Sequence, residues 1–158
     1  MTGLEMLGFL KRKQETEQEE YPLYPSVSAA VKAMAIGSVL ASNSLSTGLI
    51  KCTTGVKIDG RHFGDVVVDG SDMAVCWISP AATIRGQICA PVVYVEGAVH
   101  GDIFADRVIV MRGGVVDGDI YAVETMVQPN STPRGRTFKS ASREYRGVGA
   151  DITKKMIG

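Results

Sequence analysis

One short phrase, apolar–polar–Gly–polar–apolar, occurs three times in close succession: Ile84-Arg85-Gly86-Gln87-Ile88, Val99-His100-Gly101-Asp102-Ile103 and Val116-Asp117-Gly118-Asp119-Ile120. An alanine follows each at the same offset, as Ala90, Ala105 and Ala122, and the glycines stand 15 and 17 residues apart. A fixed period of this length marks a structural repeat, and it restricts the chain to architectures in which one unit stacks on the next. Weaker copies carry the series outward through Gly48, Gly64 and Gly135, and only the step from Gly64 to Gly86, 22 residues, is long. The excess coincides with a turn cluster, Asp69-Gly70-Ser71-Asp72, so a loop inserted near residues 69–80 is expected in one unit.

A unit of this size has room for strands of a few residues with Gly or polar corners, and none for a crossover helix, which excludes a doubly wound α/β fold. A helical reading fails as well, because Gly and β-branched residues recur at period two without a 3.6-residue apolar stripe. What remains is an all-β solenoid, each strand hydrogen-bonded to the coils above and below at about 4.8 Å. About six coils over residues 38–138 make a rod on the order of 25–30 Å long. Ile84, Gly86, Ile88, Val99, Gly101, Ile103, Val116, Gly118 and Ile120 form the core repeat. Their apolar members, at i and i+4 on one strand face, are expected to point inward with the Gly between them. Arg85, Gln87, His100, Asp102, Asp117 and Asp119 then face water. His62 falls in a slot where other coils carry Val or Ile, and Trp77 reads as a core residue. The rod's sides are polar, but its ends expose unpaired backbone and a slice of core, an edge that needs a cap or a partner. Leu45, Ile50, Met126 and Phe138 are the residues expected at contacts between rod ends.

A chain of 158 residues can bury one core, and 18 glycines with only 6% aromatics suit thin β layers. The net charge of zero is unevenly spread: residues 1–20 carry −2, residues 21–133 carry −3 and residues 134–158 carry +5. Residues 1–37 read as an N-terminal tail. In it Leu4, Leu7, Phe9 and Leu10 precede Lys11, Arg12 and Lys13, an order that suits contact with an anionic membrane surface over residues 1–13. Residues 14–25 read as an acidic linker, and 26–35 as a short helix capped by Ser26. Residues 139–158 read as a flexible, solvated, basic C-terminal tail. The cations follow the first apolar residues instead of preceding an apolar core, so no secretory signal is read. Val27–Ala41 is interrupted by Ser28, Lys32 and Ser38 and falls short of the roughly 20 residues a spanning helix needs. A cytoplasmic chain, peripheral on the inner face of the cytoplasmic membrane, is expected.

Nothing in the sequence assembles into catalytic, cofactor or metal chemistry. Cys52, Cys76 and Cys89 are odd in number, lack a CxxC spacing and read as structural thiols of a reducing compartment. His62 and His100 belong to coils two intervals apart, too few and too distant for a three-imidazole metal site. Asp65, Asp102 and Asp119 read as a column of like charges on a wet face. No Gly opens a helix as a phosphate loop would. Two alternatives stand beside a scaffold: a capped, non-polymerising β-helical adaptor of an envelope or transport complex, and a hexapeptide-type acyltransferase or carbonic anhydrase-like enzyme. The six-residue beat of the latter is absent here.

Lys57-Ile58-Asp59-Gly60 followed by Phe63-Gly64-Asp65-Val66 resembles the bactofilin family. So do Val99-x-Gly101-Asp102-Ile103-x-Ala105-Asp106-Arg107-Val108-x-Val110 and Val116-x-Gly118-Asp119-Ile120-x-Ala122, and the likeness spans roughly Ser38 to Gly135. The resemblance implies a right-handed β-helix that joins end to end into filaments without nucleotide, a scaffold for cell shape, envelope growth or the placement of wall-modifying enzymes. The implied partners are further copies of the chain, the membrane surface, and cell-wall enzymes or other envelope proteins; no cofactor and no nucleic acid are expected. Some members carry an apolar-then-basic N-terminal peptide for membrane attachment, and Met6–Lys13 is similar to one. The last coil, near Thr132–Gly135, departs from the family in lacking the aromatic pair that often closes its core, a place Phe138 is expected to fill.

Overall fold

The computed structural model describes residues 36–157, with side chains from 39 to 155. The chain winds as a parallel β-solenoid of about six turns whose rod has three flanks. The first flank stacks β3 (Ile50–Cys52), β6 (Val66–Val68), the opening halves of β9 (Ile88–Val95), β11 (Ile103–Val110) and β13 (Ile120–Val127), and β15 (Thr137–Lys139). The second stacks β2 (Leu45–Thr47), β5 (Arg61–Phe63), β8 (Thr83–Arg85), β10 (Ala98–His100), β12 (Val115–Val116) and β14 (Thr132–Pro133). The third stacks β1 (Ile36–Leu40), β4 (Gly55–Ile58), β7 (Val75–Ile78) and the closing halves of β9, β11 and β13. The long strands bend between flanks at Pro91, Asp106 and Val123: Ala105 pairs with Ala122 and Arg107 with Glu124, while the residue between has no partner in register. Pro91 is tolerated at such a bend because no ladder hydrogen bond is asked of its nitrogen.

Side chains repeat rung by rung in columns. Val66, Ile88, Ile103 and Ile120 fill the core from the first flank, His62, Ile84, Val99 and Val116 from the second, and Ile58, Ile78, Val95 and Val110 from the third. Each of these side chains is essentially fully buried, so each apolar member contributes on the order of 1.5–3 kcal/mol of hydrophobic free energy.

The apolar residues of the repeat are buried, but its geometry differs from the expected one. Val99 and Ile103 lie on two different strands of two different flanks, and Gly101 is the corner between them. At that corner successive turns meet backbone to backbone. A Cβ on Gly101 would stand 2.0 Å from the carbonyl oxygen of Gly86, and one on Gly118 would stand 2.2 Å from that of Gly101. Glycine is required there by contact between rungs, which happens once per turn and therefore sets the period.

Three further expectations are corrected. The expected loop at 69–80 shrinks to the corner before β7, because β7 is a regular rung: Cys76 pairs with Val56 and Val93, Ile78 with Ile58 and Val95, and both are buried. Trp77 is not in the core. It points out of the third flank, half-buried, its Nε1 donating to Glu96 Oε1 at 2.7 Å and Lys57 Nζ lying 4.6 Å over its ring.

The C-terminal stretch is not a solvated tail. Residues Glu144–Ile157 form a helix, α1, that lies against the first flank. Val148 and Ile152, one turn apart, pack on Val67, Cys89, Leu49 and Phe104, and Tyr145 is 2% exposed. The extra corner residues hold the start of this helix. Asp72 accepts from Arg143 at 2.6 Å and from Arg146 at 2.9 Å, and Arg143 N–H donates to Asp106 Oδ1 at 2.6 Å. Arg143 adopts φ 63°, a left-handed conformation that a non-glycine residue keeps only where its surroundings hold it. These ion pairs are half-exposed, so Asp72→Ala is expected to weaken helix docking by only about 0.5–1 kcal/mol. Hydrogen exchange should show faster amides in α1 and unchanged ones in β9 and β11; unchanged exchange in α1 would mean the corner does not hold the helix.

Candidate assembly surfaces

The polar groups of the flanks serve the stack itself. The carboxylate after each corner glycine reaches the backbone of the next rung: Asp65 Oδ1 accepts from Gln87 N–H, Asp102 Oδ1 from Asp119 N–H and Asp119 Oδ1 from Arg136 N–H, each at 2.8 Å. The expected wet column of like charges is thus a ladder of charge-assisted bonds that satisfies corner N–H groups. His100 is half-exposed and bonded through Nδ1 to Asp117, which also takes Arg134 at 2.8 Å. The Arg134 guanidinium first, and His100 second, hold the Asp117 carboxyl below its usual range.

His62 occupies the inward slot predicted for it and is fully buried. Ser46 Oγ lies 2.6 Å from its Nδ1, while Nε2 has no hydrogen-bond partner. A buried polar atom without a partner costs about 1–3 kcal/mol, so His62→Val, which restores the apolar column, is expected to raise stability by roughly 1 kcal/mol. The half-buried Ser46 hydroxyl can turn to water. The midpoint of urea unfolding checks this, and a lowered midpoint would mean that the Ser46 bond outweighs the orphaned nitrogen.

Cys76 and Cys89 are buried, and burial pushes both thiols up, Cys89 to about 12, so neither is ionised near neutral pH. Among the described residues no three His, Cys, Asp or Glu side chains gather as a metal site, and no helix is long and apolar enough to cross a membrane. A groove of about 460 Å³ runs between α1 and the first flank, lined by Val67, Val68, Tyr145 and Gly149 with Lys51 and Lys154 beside them.

The ends of the rod are where its periodicity is left open. Among the described residues β1, β2 and β3 each pair on one side only, as do β14 and β15 at the other end. The first rung turns Leu40, Ile50 and Cys52 against the core. At the far end Pro133, Thr137 and Lys139 continue the inward columns of Val116, Ile120 and Ala122. One end is therefore apolar and the other largely polar. All four residues expected at rod ends lie in terminal rungs, yet only Ile50 turns inward. Leu45, 57% exposed, points away from the core beside inward Ser46, and Met126 sits on the outer surface of the third flank. Phe138 also faces outward, and it does not close the core as expected. It ends an aromatic stack, Phe104–Tyr121 at 4.8 Å and Tyr121–Phe138 at 5.0 Å between ring centroids, with the Arg136 guanidinium 5.1 Å from its own ring. Leu4, Leu7, Phe9, Leu10, Lys11, Arg12 and Lys13, the acidic linker and the expected helix at 26–35 lie outside the described residues.

Comparison with curated proteins and with solved structures yields no match. A family model described as bactofilin, polymer-forming cytoskeletal, matches residues 38–137, the whole span of the solenoid's turns from within β1 to β15. A match over more than half of the chain, on a stack of parallel rungs whose outermost strands pair on one side only among the described residues, places the protein: it belongs to the bactofilin family of cytoskeletal proteins.

Proposed function

We propose that this protein is a cytoskeletal scaffold that polymerises end to end, without nucleotide, and organises machinery of the envelope or of cell shape. The observation that carries the reading is the pair of open rod ends, whose edge strands pair on one side only among the described residues. A second copy set on either end continues the ladder at the same spacing of about 4.8 Å, satisfying the edge backbone and covering the core slice together. Helix α1 lies along a flank, against β9 and β11, and not over either end. Leu45, Ile50, Met126 and Phe138 are the terminal-rung residues assigned to the joints. Residues 1–13 supply contact with the inner face of the cytoplasmic membrane, and cell-wall enzymes or other envelope proteins are the cargo.

Electron microscopy of purified full-length protein with no nucleotide added tests polymerisation, with filaments expected at micromolar concentration. A single sedimenting species that does not change with concentration would instead support the capped adaptor.

A further inference from the structure

The groove between α1 and the first flank is apolar along its length, tied shut at one end and cationic at the other. Val67 of β6 lines it from the flank, and Tyr145, Gly149 and Ala150 line it from the helix. Gly149 lets the helix settle on the flank, since a Cβ there would already stand 3.0 Å from Val67 Cγ1. Tyr145 marks the closed end. There Arg146 ties the helix to the corner before β7, its Nη2 donating to Gly70 O at 3.2 Å and to Asp72 Oδ1 at 2.9 Å. Asp69, the one carboxylate of the lining, stands at this end beside Arg146. From Tyr145 the groove follows the helix to Thr153 and Lys154, nine residues and about 13 Å further on. The Thr153 hydroxyl donates to Gly149 O at 2.8 Å, so its proton is spent within the helix. Lys51, which pairs in register with Val67 from the terminal rung, is exposed, as is Lys154. Neither lysine enters an ion pair among the described residues.

We propose that this groove binds a single-chain anionic amphiphile, an acyl carboxylate whose tail lies along Val67 and Gly149 and whose head sits between Lys51 and Lys154. Charge complementarity selects the head. Two unpaired ammonium groups at one end of an otherwise apolar groove favour one anion there and repel a cation. The apolar wall selects the tail, because each CH2 laid on it leaves water. Size selects the class of ligand, since about 460 Å³ lies within the range of small-molecule pockets. At the closed end Arg146 is already engaged with Gly70 and Asp72, and Asp69 disfavours an anion, so the head is directed to the lysines. A ligand held between helix and flank would also hold α1 on the rod, because it binds only the docked helix. Helix and groove belong to one chain, so the inference does not depend on polymerisation.

Equilibrium dialysis of the full-length protein against laurate, kept below its micelle concentration, tests the proposal. One laurate per chain is expected. Across laurate, decanoate and octanoate the affinity should fall roughly two- to fourfold for each CH2 removed. Lys51→Glu combined with Lys154→Glu should weaken laurate binding roughly fivefold or more. Ala150→Trp, which fills the groove from an exposed position of the helix, should weaken it roughly tenfold or more. Hydrogen exchange shows whether α1 stays docked in each variant, and laurate should slow the α1 amides of the unmodified protein. If Ala150→Trp loosens the helix, the charge-reversed variant, altered only at exposed side chains, decides the matter. Absence of saturable laurate binding would overturn the proposal, and so would equal affinity in the charge-reversed variant. Uptake of several laurates per chain with faster exchange in α1 would be detergent action and would overturn it as well. Lysine-dependent binding to anionic phospholipid vesicles without laurate binding would also overturn it, assigning Lys51 and Lys154 to a membrane surface.

Discussion

Gly101→Ala is expected to lower stability by roughly 3–5 kcal/mol, at the upper end of what one added methyl group can do. The new Cβ would stand 2.0 Å from the carbonyl oxygen and 2.6 Å from the carbonyl carbon of Gly86. These are backbone atoms in a rung held by bonds such as Gly86 N–H to His100 O at 3.1 Å and Ile88 N–H to Asp102 O at 3.0 Å, so neither rung can move aside without breaking the ladder. Gly147→Ala should have the opposite sign. Nothing lies within 4 Å of a Cβ there, and the position is exposed in α1, so removing a helical glycine should stabilise the helix by up to about 1 kcal/mol. Urea denaturation followed by circular dichroism compares the two variants. A Gly101→Ala midpoint equal to that of the unmodified protein would show that the rungs do not meet at this corner.

Val116→Asp is expected to cost about 4 kcal/mol or more and to unfold the coil that contains it. The side chain is 0% exposed, in column with Val99 and Pro133, and a carboxylate placed there meets only apolar neighbours along the column. One residue earlier, Val115 is half-buried and points away from the core, so Val115→Asp should stay within about 1 kcal/mol of the unmodified protein. The pair tests the phase of the whole stack. Equal stability of the two variants would mean that inward and outward positions are misassigned, because a shift of one residue exchanges them along every strand.

The fold was legible because its demanding contact recurs. Each turn must place a glycine where its backbone crosses the turn before it, so the contact wrote itself into the chain as Gly64, Gly86, Gly101, Gly118 and Gly135. His62 was legible for the same reason, since its place in the period put it in a column of Ile84, Val99 and Val116. Its unpartnered Nε2 was not, because that depends on what stands on the next rung. β7 was hidden because its rung follows a turn-rich corner with no copy of the repeat phrase in front of it. Helix α1 was hidden by Gly147, Gly149 and its cations, which read as a solvated tail. Gly149 in fact allows close approach to the first flank, where an added Cβ would come within 3.0 Å of Val67.

The local sequence determined the period and the inward side of most rungs, because these follow from alternation and from one steric contact repeated per turn. Tertiary structure decided the rest. Whether Asp102 is a lone surface charge or a bond to the next rung, whether Trp77 is core or surface, and which outward columns are covered all depend on residues 15 or more positions away. Those residues become neighbours only when the rod forms. Its outer surface, with α1 on one flank and a buried stripe on another, is a product of the stack and has no period of its own in the sequence.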